Sequence, residues 1–229
     1  MKTLSALALL IAIMAGCFSL PVMAQEAQSD AELVPIPLEL PKPMFIGTPT
    51  PMKVEKLEEP LGKARPPFLA PAGTENVAFE KPVMASDDLP VIGELEMITD
   101  GDKEAADGSY VELGPFEQWV MVDLEAMYNI YAIVMWHFHK QPRVYFDVVV
   151  QVAEDQDFTQ NVVTVFNNDI DNSLGFGKGE DYHYVETNEG KLIDAKGVTG
   201  RYVRAYSNGN TSNDLNHWIE LEVYGKPAN

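Results

Sequence analysis

Between Gln118 and Ala153 apolar residues recur at every second position, and that period leaves few folds open to the chain. Ile130, Ala132, Val134, Trp136 and Phe138 form one row, and the row opposite ends in His137 and His139. Val144, Phe146, Val148, Val150 and Val152 form a second row, with Tyr145, Asp147 and Gln151 on its other side. A period of two puts alternate side chains on opposite sides of a strand, so each run predicts a strand with one buried face. Gln141-Pro142 breaks the chain between them and suits a turn.

Shorter runs of the same kind flank these strands, at 76–80, 95–99, 110–113, 118–124, 162–166 and 201–206, with weaker ones at 182–186 and 192–195. In the last, 217–224, Ile219, Leu221 and Val223 are expected to face in, and Trp218, Glu220, Glu222 and Tyr224 out. No amphipathic helix longer than a turn or two is visible. Many short strands separated by turn residues, without helical crossovers, predict an all-β protein: an antiparallel sandwich or barrel.

The chain has 229 residues, 46% of them hydrophobic, enough for one domain with a core and flanking segments. Sixteen basic and 35 acidic residues leave a formal net charge of -19. Such a surface repels phosphate backbones, which argues against a nucleic-acid partner. It suits an exported protein or one that holds hard cations. The only cysteine, Cys17, lies in the N-terminal apolar run, so the rest of the chain has no disulfide, thiolate metal site or cysteine nucleophile.

Residues 1–24 read as a signal peptide. Lys2 precedes an apolar stretch, and Val22-Met23-Ala24 places small residues before a cut ahead of Gln25. A second reading stands beside it: Met14-Ala15-Gly16-Cys17 resembles a lipobox, which would anchor a lipoprotein at Cys17. The expected location is therefore periplasmic or secreted, with a lipid anchor as the alternative. Residues 25–75 form a proline-rich segment, punctuated by Pro35, Pro37, Pro41, Pro43, Pro49, Pro51, Pro60, Pro66, Pro67 and Pro71. Proline disfavours helix and sheet alike, so this segment reads as an extended linker. The alternative is that Met44-Phe45-Ile46 and 54–57 dock on the domain or on a partner.

Five pieces in order carry a resemblance over residues 76–226. They are Asn76-x-Ala78 with Lys81-Pro82-Val83 and Ser86, Ile98-Thr99-Asp100-Gly101-Asp102, Gln118 to Leu124, Arg201-Tyr202-Val203-Arg204, and Ile219 to Gly225. Together they resemble discoidin, or coagulation factor V/VIII C-type, domains. The resemblance implies a jelly-roll β-sandwich of the galactose-binding-like superfamily, which includes many bacterial carbohydrate-binding modules. Glu125 stands where that pattern has glycine, and the paired cysteines of the clotting proteins are absent.

Several residues are candidates for a site. Asp100-Gly101-Asp102 places carboxylates on alternate residues around a glycine, a pattern that suits calcium, which takes roughly six to eight oxygens. The resemblance implies that the last strand completes such a shell, here through Glu220, with calcium in a structural role. The bland reading is a capped turn. His137 and His139 with Asp147 would suit zinc or iron, although a structural or hydrogen-bonding role for either histidine is the commoner outcome. The loop at 167–181 is dense in Asn and Asp, which would suit a second cation, sugar hydroxyls or simple turn chemistry. Around 207–216 the same choice recurs for Asn208 and Asn210, flanked by Arg204, His217 and Trp218. With His139 and Arg143 these supply planar donors and aromatic faces suited to sugar. No nucleophile elbow, phosphate loop or dinucleotide fingerprint occurs.

The expected function is therefore an exported, non-catalytic module that binds carbohydrate or a glycosylated surface. An envelope protein with a protein partner is the alternative, and a small metal-dependent hydrolase stands third.

Overall fold

The computed structural model describes residues 32–45 and 52–228. The expected signal peptide, Cys17 and Ile46 lie outside them. Ten strands follow in chain order: β1 Leu33–Pro35, β2 Leu69–Pro71, β3 Glu75–Asn76, β4 Val83–Ala85, β5 Val111–Pro115, β6 Gln118–His137, β7 Val149–Ala153, β8 Val163–Asn167, β9 Lys191–Ser207 and β10 Leu215–Pro227. A 3₁₀ turn at Leu95–Thr99 is the one helical element among the described residues.

All pairings between these strands are antiparallel, and β3 to β10 form one connected network, as the jelly-roll expectation requires. Two long strands organise it. Gln118–Asp123 of β6 pairs with Tyr202–Ser207 of β9, and Tyr128–Met135 pairs with Lys191–Gly200. Between the two stretches β6 turns a corner at Glu125, whose φ of 63° lies in the left-handed region. The pair thus runs through both layers. The first half of β6 and the second half of β9 join β4 and β7, with β8 beyond it, and the second half of β6 joins β10, with β3 beyond it. This explains why 118–124 and 130–137, read as separate strands, are one element.

The main core lies between the layers, with Val120, Val122 and Leu124 of β6, Val150 and Val152 of β7, Val203 and Ala205 of β9, and Leu221 and Val223 of β10. Two motifs of the resemblance hold it in register. Arg201 grips Asp123 through two hydrogen bonds of 2.7 and 2.8 Å, and this contact holds the Asp123 carboxyl below its ordinary range. Asn76 Oδ1 accepts from the backbone N–H of Ala78 and of Val223, tying the first piece to the last.

The apolar row of β6 is buried, but against a different neighbour than alternation alone suggests. A register shift between Ile130 and Ala132 divides it. Ile130 joins Ile133 and Met135 in the main core, while Ala132, Val134, Trp136 and Phe138 face outward. There they meet Ile36, Leu38, Phe68 and Ala70 of the proline-rich segment. That segment is therefore not a spacer over its described residues. The two-stranded ribbon of β1 and β2 roofs the outer face of the sheet, and the described residues fall within one compact unit. Proline removes a backbone donor but leaves apolar side chains free to pack, and edge strands tolerate it. Further along, Leu57 bridges His183, and Arg65 donates to the carbonyls of Glu189 and Gly190 at 2.8 and 2.9 Å. Docking was the other expectation for this segment, and it applies here at Leu57.

Candidate functional site

Two loop segments converge at one end of the sandwich. Phe146 N–H donates to Gly209 O, Thr211 N–H to Val144 O, and Asn208 Nδ2 to Asp147 Oδ2. The stretch between β6 and β7 is thereby laced to the stretch between β9 and β10. Asp147 has a φ of 50°, which breaks the period of two, so that Tyr145 and Val148 both point into the core.

Behind these loops runs a buried polar chain. The carboxylate of Glu112 lies 3.1 Å from His217 Nε2, and His217 Nδ1 lies 2.9 Å from the Tyr145 hydroxyl. Burial, then the positive charge of Arg143, lowers the His217 pKa to about 4, so the imidazole is neutral at physiological pH. Burial raises Tyr145, which keeps its proton. The consistent arrangement has Tyr145 O–H donating to Nδ1 and Nε2–H donating to Glu112. The Tyr145 ring stacks on His137 at 4.2 Å, and His137 Nδ1 lies 2.7 Å from Glu186 Oε1.

Outside this chain sits Arg143. Its guanidinium lies 4.7 Å above the Phe138 ring, and Tyr110 packs edge-on against Phe138 at 5.0 Å and near His217 at 5.7 Å. Arg143 Nε and Nη1 are buried with no hydrogen-bond partner in the protein. Buried donors of this kind are normally satisfied; the Tyr145 hydroxyl lies within reach of the guanidinium, and Arg204 Nε and Trp218 Nε1 are likewise buried without a partner. The group therefore sets a planar cation over Phe138 with Tyr110 beside it, and the buried, fully engaged His217 imidazole lies behind.

Of the residues named from sequence, Arg143 and His217 belong to this cluster and the others do not. Trp218 is fully buried in the main core, because a register shift between Trp218 and Glu220 reverses its side. The same shift moves Ile219 to the outer cluster. Arg204 lies between Trp119 and Phe158, 4.5 and 4.0 Å from their rings, and donates to Gln156 O, away from the loops that hold His217. His139 is buried, with Nε2 3.0 Å from Lys103 O, where it pins the loop before β5. Asn210 is consumed by its own turn, accepting from Ser212 and Asn213 N–H and donating to Leu215 O, as turn chemistry predicts. Asn208 holds Asp147.

The three candidate ligands His137, His139 and Asp147 do not gather. His137 points into the sandwich, His139 to Lys103, and Asp147 to Asn208. Asp147 instead forms a trio with Asp169 and Asp171, with oxygens within 4.8 Å of one another. Backbone N–H groups of Ser173 and Leu174 already occupy Asp169, and Ser173 also donates to Asp171, so the loop uses these carboxylates to close its own turns.

At the calcium candidate, the loop and the last strand do meet. Gly101 N–H donates to Glu220 Oε2 at 3.2 Å. Glu220 is buried, its Oε1 lacks a partner, and burial followed by the neighbouring Glu222 charge pushes its pKa up to about 9. A divalent cation would relieve such a carboxyl, and Asp100 is near enough to add to its raised pKa, although Asp100 Oδ1 already accepts from Asp102 N–H at 2.7 Å. Asp102 fits less well: it accepts from Glu104 N–H, and among the described residues the three carboxyls do not form a close trio.

Tyr110, Glu112, Phe138, Tyr145 and Glu186 were not singled out from sequence. Glu112 carried a signal, as a carboxylate between Val111 and Leu113 in an apolar run. Glu186 ends the weak run at 182–186, and the three aromatic residues look like ordinary core positions.

No family model matches the chain, and no curated protein matches it. Solved structures do. A carbohydrate-binding module, the CBM32 of AlyQ in complex with 4,5-unsaturated mannuronic acid, is 17% identical, with 63% of this chain and 95% of that one covered at a TM-score of 0.47. Chitosan-binding module 1 of a chitosanase/glucanase from Paenibacillus sp. IK-5 is 19% identical, covering 66% and 98% at 0.44. A family 89 glycoside hydrolase from Clostridium perfringens is 20% identical at 0.48, and the match spans 67% of this chain but 15% of the hydrolase.

Proposed function

We propose that this protein is an exported, non-catalytic module that binds carbohydrate through the loop end bearing Arg143. One observation carries the reading: a half-buried guanidinium seated on an aromatic ring, with a second ring, Tyr110, packed beside it. A sugar presents hydroxyl oxygens along its edge and C–H groups on its faces, so it can satisfy donors and an aromatic surface at once. Tyr110 supplies the second ring, and the Glu112–His217–Tyr145 chain holds the floor beneath. Calcium at Glu220 and Asp100 would brace the loop before β5 and take no part in recognition.

A protein partner in the cell envelope is the second reading. It is supported by Leu33 and Leu69, which lie on the β1–β2 ribbon and are 59% and 52% exposed.

Titration calorimetry against a panel of poly- and oligosaccharides tests the first reading. Wild-type protein is expected to bind a member of the panel, and Arg143→Ala is expected to weaken that binding at least tenfold, the loss of one charge-assisted contact. Failure of the wild type to bind any glycan, with capture of an envelope protein that Leu33→Asp abolishes, would replace it with the second.

A further inference from the structure

The proline-rich segment leaves a strand edge half built where it crosses the stretch before β9. Leu57 pairs with His183 in a parallel bridge: Glu58 N–H donates to His183 O at 2.8 Å, and His183 N–H to Lys56 O at 2.9 Å. In a parallel ladder the next step would have Val185 N–H donate to Glu58 O and residue 60 donate to Val185 O. Residue 60 is proline, which has no N–H, and the ladder ends there. The segment returns at Arg65, which donates to the carbonyls of Glu189 and Gly190.

Val185 is thereby left with its backbone groups aimed at the gap. Glu186 N–H turns the other way, to Arg143 O at 2.8 Å, so Val185 N–H and C=O share the side that His183 presents to the segment. Neither has a partner among the described residues. A cavity of about 550 Å³ opens at the same place, a size usual for binding sites. Val185, Leu192, Phe45, Met44 and Leu61 line it, the last two 40% and 63% exposed.

An unfinished ladder beside an apolar cavity matches one kind of occupant. An extended peptide carries an N–H and a C=O on one edge and side chains that alternate across it. It can therefore pair with Val185 while placing one apolar side chain in the cavity. The proline-rich segment already binds in this way at Leu57, and such a peptide continues its row. Glu59 and Lys63, one of each sign, are exposed beside the cavity, and the net charge of -19 disfavours an acidic peptide. The part of the lining that comes from residues 44–65 lies upstream of the stretch that carries the discoidin resemblance.

We propose that this cavity binds an extended, uncharged or basic peptide segment of a partner protein, paired through Val185 and anchored by one bulky apolar side chain. The site stands whether or not Arg143 binds a glycan. To test it, a random heptapeptide library displayed on phage is selected against the protein, and the enriched peptides are synthesised and titrated into wild type, Leu61→Glu and Leu33→Asp. The enriched peptides are expected to share a bulky apolar residue. Leu61→Glu is expected to bind them about fivefold or more weakly, with an unchanged melting temperature, and Leu33→Asp as tightly as wild type. Saturating peptide is expected to slow hydrogen exchange at the Val185 amide by about tenfold or more, a readout that needs no substitution. Enrichment of no peptide, full affinity in Leu61→Glu, or a Val185 amide that exchanges at the free rate overturns the proposal. So does loss of binding confined to Leu33→Asp, which places the peptides on the β1–β2 ribbon.

Discussion

Replacing Glu220 by glutamine separates burial from ion binding at the loop before β5. The side chain is 1% exposed, and its carboxyl is pushed up to about 9 from an ordinary 4.5. In the unfolded chain it ionises near 4.5, so between the two values the folded protein holds the extra proton. Stability in calcium-free buffer must then fall as pH rises through that window, by about 1.4 kcal/mol per unit at most. At pH 7 the accumulated cost is on the order of 3 kcal/mol. Glu220→Gln keeps the shape and an acceptor for Gly101 N–H but does not titrate. Urea denaturation followed by tryptophan fluorescence suits the measurement, since Trp136 and Trp218 are fully buried. In EDTA the two proteins are expected to be equally stable near pH 4.5 and to diverge as pH rises, with the variant the more stable at pH 8. Calcium is expected to raise the wild type and leave the variant unchanged, because an ion that binds only the folded form stabilises it. Parallel stability curves for the two proteins from pH 4.5 to pH 8 in EDTA would refute the burial argument. A calcium response that survives in the variant would refute the ligand assignment.

Two further substitutions test the architecture. Ile36 is 8% exposed beneath the ribbon, and Ile36→Ala is expected to destabilise by about 2–4 kcal/mol. A change below about 0.5 kcal/mol, typical of a surface position, would mean that the proline-rich segment does not pack on the sheet. At Gly200 a Cβ would stand 2.3 Å from Val152 Cγ1 and 3.0 Å from Ala153 O. Gly200→Ala should cost about 1–3 kcal/mol from overpacking, and Val152→Ala in the same chain should recover part of it. An undisturbed single variant would place β7 and β9 further apart than they are here.

The alternation of apolar residues was enough to predict strands, antiparallel pairing and a two-layer core, because a period of two has only one structural consequence. The resemblance, and not the alternation, set the Asp100–Asp102 loop beside Glu220, and Gly101 N–H does donate to Glu220. What alternation could not give was the side to which each row turns. The register shifts at Ile130/Ala132 and Trp218/Glu220 are events between strands, and each sends a residue such as Trp218 to the opposite face from the one its position suggests. The proline-rich segment reads as a spacer because proline forbids regular hydrogen bonding. Only the tertiary structure supplies the bare row of Val134, Trp136 and Phe138 that its Ile36 and Phe68 cover. Arg204 and Arg143 look alike along the chain. The fold sets one between Trp119 and Phe158, donating to Gln156 O, and the other over Phe138 beside His217, because contacts distant in sequence determine what each side chain meets.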